Sequence, residues 1–321
     1  MPTLPLVLAD AQSLPYDELC YGLGVFVVLV LLFNYLTQSG TIARATIKES
    51  LRQPVFLLLT AIGILVILGN IFIPFFSMGD DTKMFIDCGL ATVMICSLSL
   101  AVWSSSTSVA EEIEGKTAMT LLSKPINRRQ FVLGKYMGIV QTALFMIGIL
   151  GVIFFFATYF KFWYDLRESG KEQGELFFMR DVGLPFHVPF MVEKIFNVAR
   201  TILPGLVLIG MEVAVMAAVS VAISTRMPML VNISSCFAIF VVSHLTPVLA
   251  QAKGQNVFVK FVANLLATIL PGLDHFNMSA AVATGKNIPP DYIGLAGIYC
   301  LTYAVVMILV AFLMFEDRDL A

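Results

Sequence analysis

Charged side chains are scarce in this sequence of 321 residues: Asp, Glu, Lys and Arg make up 13% of it, against about 25% in a typical soluble domain. The formal net charge is only −2, which excludes the strongly basic surface that nucleic-acid binding requires. Hydrophobic residues make up 58%, more than a soluble fold of this length can bury beneath a polar shell. The composition therefore places most of the chain in a lipid bilayer.

Residues that carry enzyme or metal chemistry are also few. The three histidines are scattered, and the sequence contains neither an HExxH zinc motif nor a GxSxG nucleophile motif. The five cysteines lie singly in apolar stretches without a CxxC pair, so we interpret them as small buried hydrophobic residues. We therefore predict no catalytic residue, no metal site and no cofactor in this chain.

Long apolar runs are what the sequence has in abundance, and a run of about 20 residues crosses a bilayer core of roughly 30 Å. Six runs are clear: Val55–Phe76, Met84–Trp103, Val132–Phe156, Ile202–Ser224, Met229–Leu249 and Tyr292–Phe315. A seventh, Cys20–Leu36, is shorter and contains Asn34, and Val257–Leu270 is interpreted as a re-entrant or interfacial helix. We predict an all-α integral membrane protein, a single transmembrane domain over residues 1–321 with six or seven transmembrane helices, of which residues 55–315 form a six-span core.

The distribution of Lys and Arg predicts the orientation of these helices. The first basic residue is Arg44, so the basic start of a secretory signal is missing and residues 1–19 are predicted to lie outside the cytoplasm. Alternating crossings then place residues 41–54, residues 111–131, Arg226 and the tail 316–321 on one face, which we predict to be cytoplasmic. The loop Tyr159–Ala199 falls on the opposite face, where five basic residues are balanced by six acidic ones.

Residues 41–54 have the pattern of an amphipathic helix. Arg44, Lys48 and Arg52 recur every four residues, and Ala43, Ile47 and Leu51 form an apolar stripe beside them. This spacing predicts a helix on the cytoplasmic membrane surface, after which Pro54 begins the next span. Two interpretations stay open: a basic anchor on membrane lipids, and an elbow against which a cytoplasmic partner pushes.

The segment 111–131 between the second and third clear runs is acidic at its start and basic at its end. Its exposed apolar pair, Leu121 and Leu122, is typical of a docking surface. Asn127 and Gln130 form a capping box that predicts the start of the next helix. The triplet at 115–117 is not a phosphate-binding loop, because the glycine required five positions earlier is Ala110.

Glu212 lies in the middle of the Ile202–Ser224 run. A charged side chain at that depth costs about 2.5–3.5 kcal/mol even on the mildest scale, so such residues are functional candidates by default. Two interpretations stay open: a functional intramembrane group, and a carboxyl that faces the bundle interior and is protonated or paired with Ser or Thr.

The segment 111–138 resembles the signature of permease subunits of ABC transporters of the type-2 exporter class. That signature has acidic residues, a Gly-Thr pair (here separated by Lys116), Leu-Leu, Pro, Arg, and Gly-Lys at the start of the next span. The matching positions are Glu112, Glu114, Gly115, Thr117, Leu121, Leu122, Pro125, Arg128 or Arg129, Gly134 and Lys135. Residues 41–54 are similar to the amphipathic start of that family, and residues 315–320 resemble its Phe-x-x-Arg-Asp tail. Within the class, the chain is most similar to the branch associated with maturation of multicopper enzymes, including nitrous oxide reductase.

The resemblance implies a multi-pass permease of the bacterial inner membrane that forms a homodimer or heterodimer and pairs with two ATP-binding cassette subunits. ATP would bind to those partners, so this chain would not itself be an enzyme. The coupling elements would be the elbow, with Arg44, Lys48 and Arg52, and a loop that comprises Glu111, Glu112, Glu114, Gly115, Thr117, Leu121, Leu122, Pro125, Arg128 and Arg129. The alternative is an ion-coupled secondary transporter that uses Glu212, a class in which internal repeats are usual.

Overall fold

The computed structural model describes residues 16–73, 81–111, 127–168, 176–180, 188–251, 261, 265–266, 268–284 and 288–316. The described elements, in chain order, are α1 (Tyr16–Leu36), α2 (Gln38–Arg52), α3 (Pro54–Ile71), α4 (Asp81–Ser105), a π-helix (Ser106–Glu111), α5 (Arg128–Glu168), β1 (Phe177–Arg180), β2 (Val188–Met191), α6 (Glu193–Arg200), α7 (Ile202–Ser224), α8 (Met229–Gln251), a 3₁₀ turn (Leu273–Phe276), α9 (Ser279–Ala283) and α10 (Pro290–Glu316).

Six stretches of helix in this part of the chain are long and apolar enough to cross a membrane. They are Pro54–Ile71, Asp81–Val109, Arg128–Arg167, Glu193–Ser224, Met229–Thr246 and Asp291–Phe315. Each contains most of one of the six clear apolar runs, so the prediction of an all-α membrane protein is confirmed at this level. α1 and α2 would add a seventh span only if the two helices were counted as parts of one bent span. They meet at an angle of 105°.

Two ends of the helix bundle can be distinguished. The α2 end holds α2, the π-helix, the start of α5, the turn between α7 and α8, and the end of α10. The hairpin end holds the start of α4, the end of α5, and the strands β1 and β2. Thr82 of α4 donates a hydrogen bond of 2.6 Å to Asp165 of α5 at the hairpin end, and Arg128 donates one of 3.1 Å to the Phe315 carbonyl at the α2 end.

The helix α5 is much longer than the span predicted for it. Its 41 residues correspond to about 60 Å at 1.5 Å per residue, about twice the thickness of a bilayer core. The predicted loop Tyr159–Ala199 is therefore wrong in its first part, since α5 continues to Glu168. The sequence from 152 to 169 contains no glycine or proline, so nothing in the backbone ends the helix where the apolar run ends.

The extension of α5 carries a small layer made of β1, β2 and α6. The two strands pair antiparallel, with Phe177 opposite Met191. Tyr159 of α5 holds this layer: its hydroxyl donates to the Leu176 carbonyl at 2.7 Å and accepts from the Val192 amide at 2.9 Å. This tyrosine ring stacks on that of Phe177. The hairpin is thus fixed to the end of α5.

The centre of the bundle is formed by α4, α5 and α7, and α7 is buried on nearly every side. By contrast, α10 exposes an apolar stripe at Leu295, Ile298 and Leu301. An exposed apolar face is expected of a helix in lipid, because lipid tails are as apolar as leucine. α1 also exposes its apolar side chains from Tyr21 to Leu32.

Of the predicted re-entrant stretch Val257–Leu270, only residues 261, 265–266 and 268–270 lie within the described residues, and the first five of these are helical. The chain then breaks at Pro271 and Gly272, where proline and glycine disfavour a continuous helix. The 3₁₀ turn and the short α9 follow. At this break the Gly272 amide donates a hydrogen bond of 2.8 Å to the hydroxyl oxygen of Tyr299 on α10.

Candidate functional sites in the helix bundle

The first candidate site is the junction between α2 and α5. Gly134 and Gly138, one turn apart on α5, lie directly against α2: a Cβ at Gly134 would stand 2.7 Å from the Ser39 carbonyl oxygen, and one at Gly138 would stand 2.9 Å from the Ala43 carbonyl oxygen. Glycines at this spacing allow two helix backbones to approach closely in a membrane. The sequence therefore provides α5 with a flat surface on which α2 lies.

The buried face of α2 carries the small residues Ser39, Ala43, Thr46 and Ser50, and Ile42 beside them lies against Gly134. Of the predicted apolar stripe, Ala43 is buried and Ile47 and Leu51 are half-buried, and the position of this helix on the membrane surface stays a prediction. Small side chains occupy most of this face of α2, because the glycines of α5 allow the two helix backbones to approach closely. A helix is present over Gln38–Arg52, which covers most of the segment 41–54, and its role as an elbow stays a prediction.

The three predicted elbow cations lie away from this contact. Lys48 and Arg52 are exposed, whereas Arg44 is half-buried with its guanidinium 4.8 Å from the centre of the Tyr35 ring. Pro54 occupies the first turn of α3, as predicted. The exposed side of α2 is thus basic and accessible, while its other side is packed.

Polar contacts fasten α2 to both helices that flank the segment 112–126. Lys135 of α5 lies 3.7 Å from the Glu49 carboxylate and is itself buried. Ser50 and Ser104 share a hydrogen bond of 2.6 Å between α2 and α4. Gln53, which follows α2, donates to Thr107 of the π-helix at 3.3 Å. A displacement of α2 would therefore move α4 and α5 with it.

A cluster of buried hydroxyl groups surrounds the end of α4 and the π-helix. Asn232 of α8 donates hydrogen bonds to Ser106 at 2.8 Å and to Ser220 of α7 at 3.1 Å. Ser105 and Ser224 share a further hydrogen bond of 3.3 Å between α4 and α7. Because π-helices are uncommon and frequent at functional sites, this joint between three helices is a candidate for movement.

Most of the predicted coupling loop lies outside the described residues, namely Glu112, Glu114, Gly115, Thr117, Leu121, Leu122 and Pro125. Glu111 is the last residue of the π-helix. At the other end of the segment, the Asn127 amide donates to the Gln130 side chain at 3.1 Å, which confirms the predicted cap of α5. Arg128 and Arg129 line a cavity of about 360 Å³ with Asn127, Phe312 and Phe315. Both described flanks of the loop thus lie at the α2 end.

The second candidate site is centred on Glu212, which lies inside the bundle with 2% of its side chain exposed. Its Oε1 atom is 3.5 Å from Nε2 of His244 on α8. This contact lacks hydrogen-bond geometry, and Oε1 has no hydrogen-bond partner among the described residues. Glu212 thus faces the bundle interior, and the side chain beside it is a histidine rather than Ser or Thr; its functional role stays a prediction.

The position of His244 is fixed by Phe240, one turn earlier on α8. Nδ1 of His244 lies 3.1 Å from the Phe240 carbonyl oxygen, and the two rings are 4.6 Å apart. With 22% of its side chain exposed, His244 is the more accessible member of the pair. Sequence reasoning missed this partner, although Ser243 and His244 form a polar interruption within the Met229–Leu249 run.

No protein-family model matches the chain, and no curated protein is significantly similar to it. Within the described ranges, no group of three or more His, Cys, Asp and Glu side chains is arranged to hold a metal ion. Function must therefore be argued from the two sites themselves.

Proposed function

We propose that this protein is the membrane-spanning permease subunit of an ATP-driven ABC export system, in which separate ATP-binding subunits drive movement of the substrate. The observation that carries this proposal is the attachment of α2. It packs on Gly134 and Gly138 of α5 and is hydrogen-bonded to α4 through Ser50 and Ser104. These two helices flank the segment that resembles the coupling loop of such permeases.

The arrangement supports a mechanical role for this end of the bundle. A partner that pressed on the segment 112–126 would act on the π-helix before it and on the start of α5 after it. Since α2 is packed against both neighbours, the force would reach three helices as one unit. In this proposal two ATP-binding subunits lie at the α2 end, which is cytoplasmic, and two permease chains form the transport path.

The direct test is affinity purification of the tagged protein from its native cells in mild detergent, followed by mass spectrometry. A stoichiometric ATP-binding subunit is the expected result. The double variant Glu112→Lys and Glu114→Lys should insert into the membrane and lose that subunit, because its acidic docking surface is reversed.

Glu193→Lys is the matched control, since it reverses an exposed charge at the hairpin end. It should retain the partner. If the double variant retained the partner as well, the coupling role of the loop would be excluded. A homo-oligomer without any nucleotide-binding protein would exclude the permease proposal altogether.

The second candidate function is ion-coupled secondary transport, and the observation that favours it is the Glu212–His244 pair. A buried carboxylate beside a partly accessible histidine is the kind of group that ion pathways use. Transport by the purified protein in liposomes separates the two functions. Uptake driven by an ion gradient without ATP would favour this second candidate, whereas strict dependence on the ATP-binding subunit would favour the first.

A further inference from the structure

From the geometry of Glu212 and His244 we infer that the pair is an intramembrane binding site for a single exchangeable proton. The inference goes beyond the proposed function and holds for either candidate, because it concerns what the pair binds and not what drives transport. It rests on the hydrogen-bonding capacity of the two side chains and on their burial.

The first step is the tautomer of His244. Its Nδ1 atom lies 3.1 Å from the Phe240 carbonyl oxygen. A carbonyl oxygen can only accept a hydrogen bond, so Nδ1 carries a hydrogen. A neutral imidazole has only one ring hydrogen, and its other nitrogen, Nε2, then presents a lone pair.

The second step is what faces that lone pair. Nε2 is 3.5 Å from Oε1 of Glu212, and an ionised carboxylate oxygen is also an acceptor. Two acceptors would then face each other inside the bundle, with one uncompensated negative charge. A single proton removes this conflict, either as an imidazolium beside a carboxylate or as a neutral imidazole beside a carboxylic acid.

The third step is the cost of charge at this depth. With one proton the pair has no net charge, and without it the pair has a net charge of −1. Burial penalises the charged state heavily, so the surroundings favour the protonated pair. The proton is held either on a Glu212 carboxyl oxygen or on Nε2 of His244, and its release leaves a carboxylate and a neutral imidazole that keeps its hydrogen on Nδ1.

The two members of the pair differ in exposure: 2% of the Glu212 side chain and 22% of the His244 side chain are exposed. His244 is therefore the member through which a proton would reach the surface of the bundle. His244 lies in the half of α8 nearer the hairpin end. Asp274 lies on the 3₁₀ turn that packs against α7 and α8.

In any measurement, the signals of other titratable groups on the elements packed around α7 must be distinguished from those of the pair. They include Asp274 and His275 on the 3₁₀ turn, Tyr299, Cys300 and Tyr303 on α10, Cys236 on α8, Tyr136 on α5 and Asp87 on α4. Cys300 donates to the Met211 carbonyl at 3.4 Å and Tyr136 to the Ala214 carbonyl at 3.4 Å. Both hydrogen bonds go to main-chain atoms, whereas Nε2 of His244 lies 3.5 Å from the Glu212 carboxyl.

The test is infrared difference spectroscopy of the purified full-length protein in lipid nanodiscs while the buffer pH is changed. The carboxyl and imidazole signals of one site should change together in a single step. Glu212→Gln should abolish the carboxyl signal, and His244→Gln should shift the pH at which it changes. Glu212→Asp should retain a carboxyl signal at a shifted pH, which keeps the test valid if the glutamine variant does not fold.

Asp87→Asn is the matched control, because it removes an exposed carboxyl near the start of α4 and should leave the signal of the pair intact. The inference is overturned if wild type and Glu212→Gln give the same carboxyl spectrum throughout the pH range. It is also overturned if His244→Gln leaves the carboxyl step unshifted, since the two groups would then titrate independently.

Discussion

Asn232 of α8 donates a hydrogen bond of 2.8 Å to Ser106 at the first position of the π-helix. The same side-chain amide donates to Ser220 of α7, and its carbonyl oxygen lies 3.4 Å from the Cys236 thiol. Asn232 is fully buried, so these contacts replace water completely. One side chain thus connects α7, α8 and the end of the span that leads into the segment 112–126.

Replacing this side chain should loosen the π-helix. Asn232→Leu should lower the free energy of unfolding by about 1–2 kcal/mol, since the serines lose their buried partner. Hydrogen exchange at residues 106–111 should become faster, as measured by mass spectrometry of the protein in detergent. Ser234→Ala, on the exposed side of α8, should change neither quantity. Unchanged exchange in Asn232→Leu would show that the π-helix is held by other contacts.

The junction between α2 and α5 gives a steric prediction. Gly134→Ala should destabilise the protein by about 1–3 kcal/mol, because the added methyl group meets the Ser39 backbone and overpacks the junction. Trypsin should then cleave α2 more rapidly at Arg44, Lys48 and Arg52. Gly148→Ala is the matched control on the same helix, since its Cβ would meet open space. Equal trypsin sensitivity in both variants would contradict the close packing of α2.

Tyr159 gives a prediction for the hairpin end. Tyr159→Phe leaves the Leu176 carbonyl and the Val192 amide without their hydroxyl partner, at a cost of about 1–2 kcal/mol. The amides of β1 and β2 should exchange faster, whereas those of α7 should not change. Tyr164→Phe, at a partly exposed position on the same helix, should leave the strands protected. Slow exchange in Tyr159→Phe would mean that strand pairing alone holds the hairpin.

The predicted orientation can be tested by chemical labelling of whole cells. Lys48→Cys and Glu193→Cys place thiols at exposed positions on opposite ends of the bundle, in a background with the native cysteines replaced by serine. A membrane-impermeant maleimide should label the second variant in intact cells and the first only after lysis. The reverse pattern would place the α2 end outside the cytoplasm and would exclude its docking to cytoplasmic ATP-binding subunits.

Local sequence patterns predicted a large part of this fold. Four features depend on residues close together in the chain, so hydropathy, spacing and turn chemistry were enough to find them. They are the six apolar runs, the helix over residues 38–52, the start of α3 at Pro54 and the cap of α5 at Asn127. The length of α5 was missed because its last turns are aromatic and charged. These turns pack against the hairpin, and Lys161 pairs with Asp165 at 3.1 Å, which an apolar-run criterion does not detect.

The sequence by itself determined that this chain is a helical membrane protein with a costly carboxyl at Glu212, because apolar length and buried charge are properties of single segments. Only the tertiary structure decided that His244 is the neighbour of that carboxyl, that Gly134 and Gly138 receive α2, and that Asn232 joins the π-helix to α7. The reason is physical: every face of an apolar helix can contact lipid, so hydropathy does not indicate which faces contact other helices. That choice depends on close packing and on hydrogen bonds between helices distant in sequence.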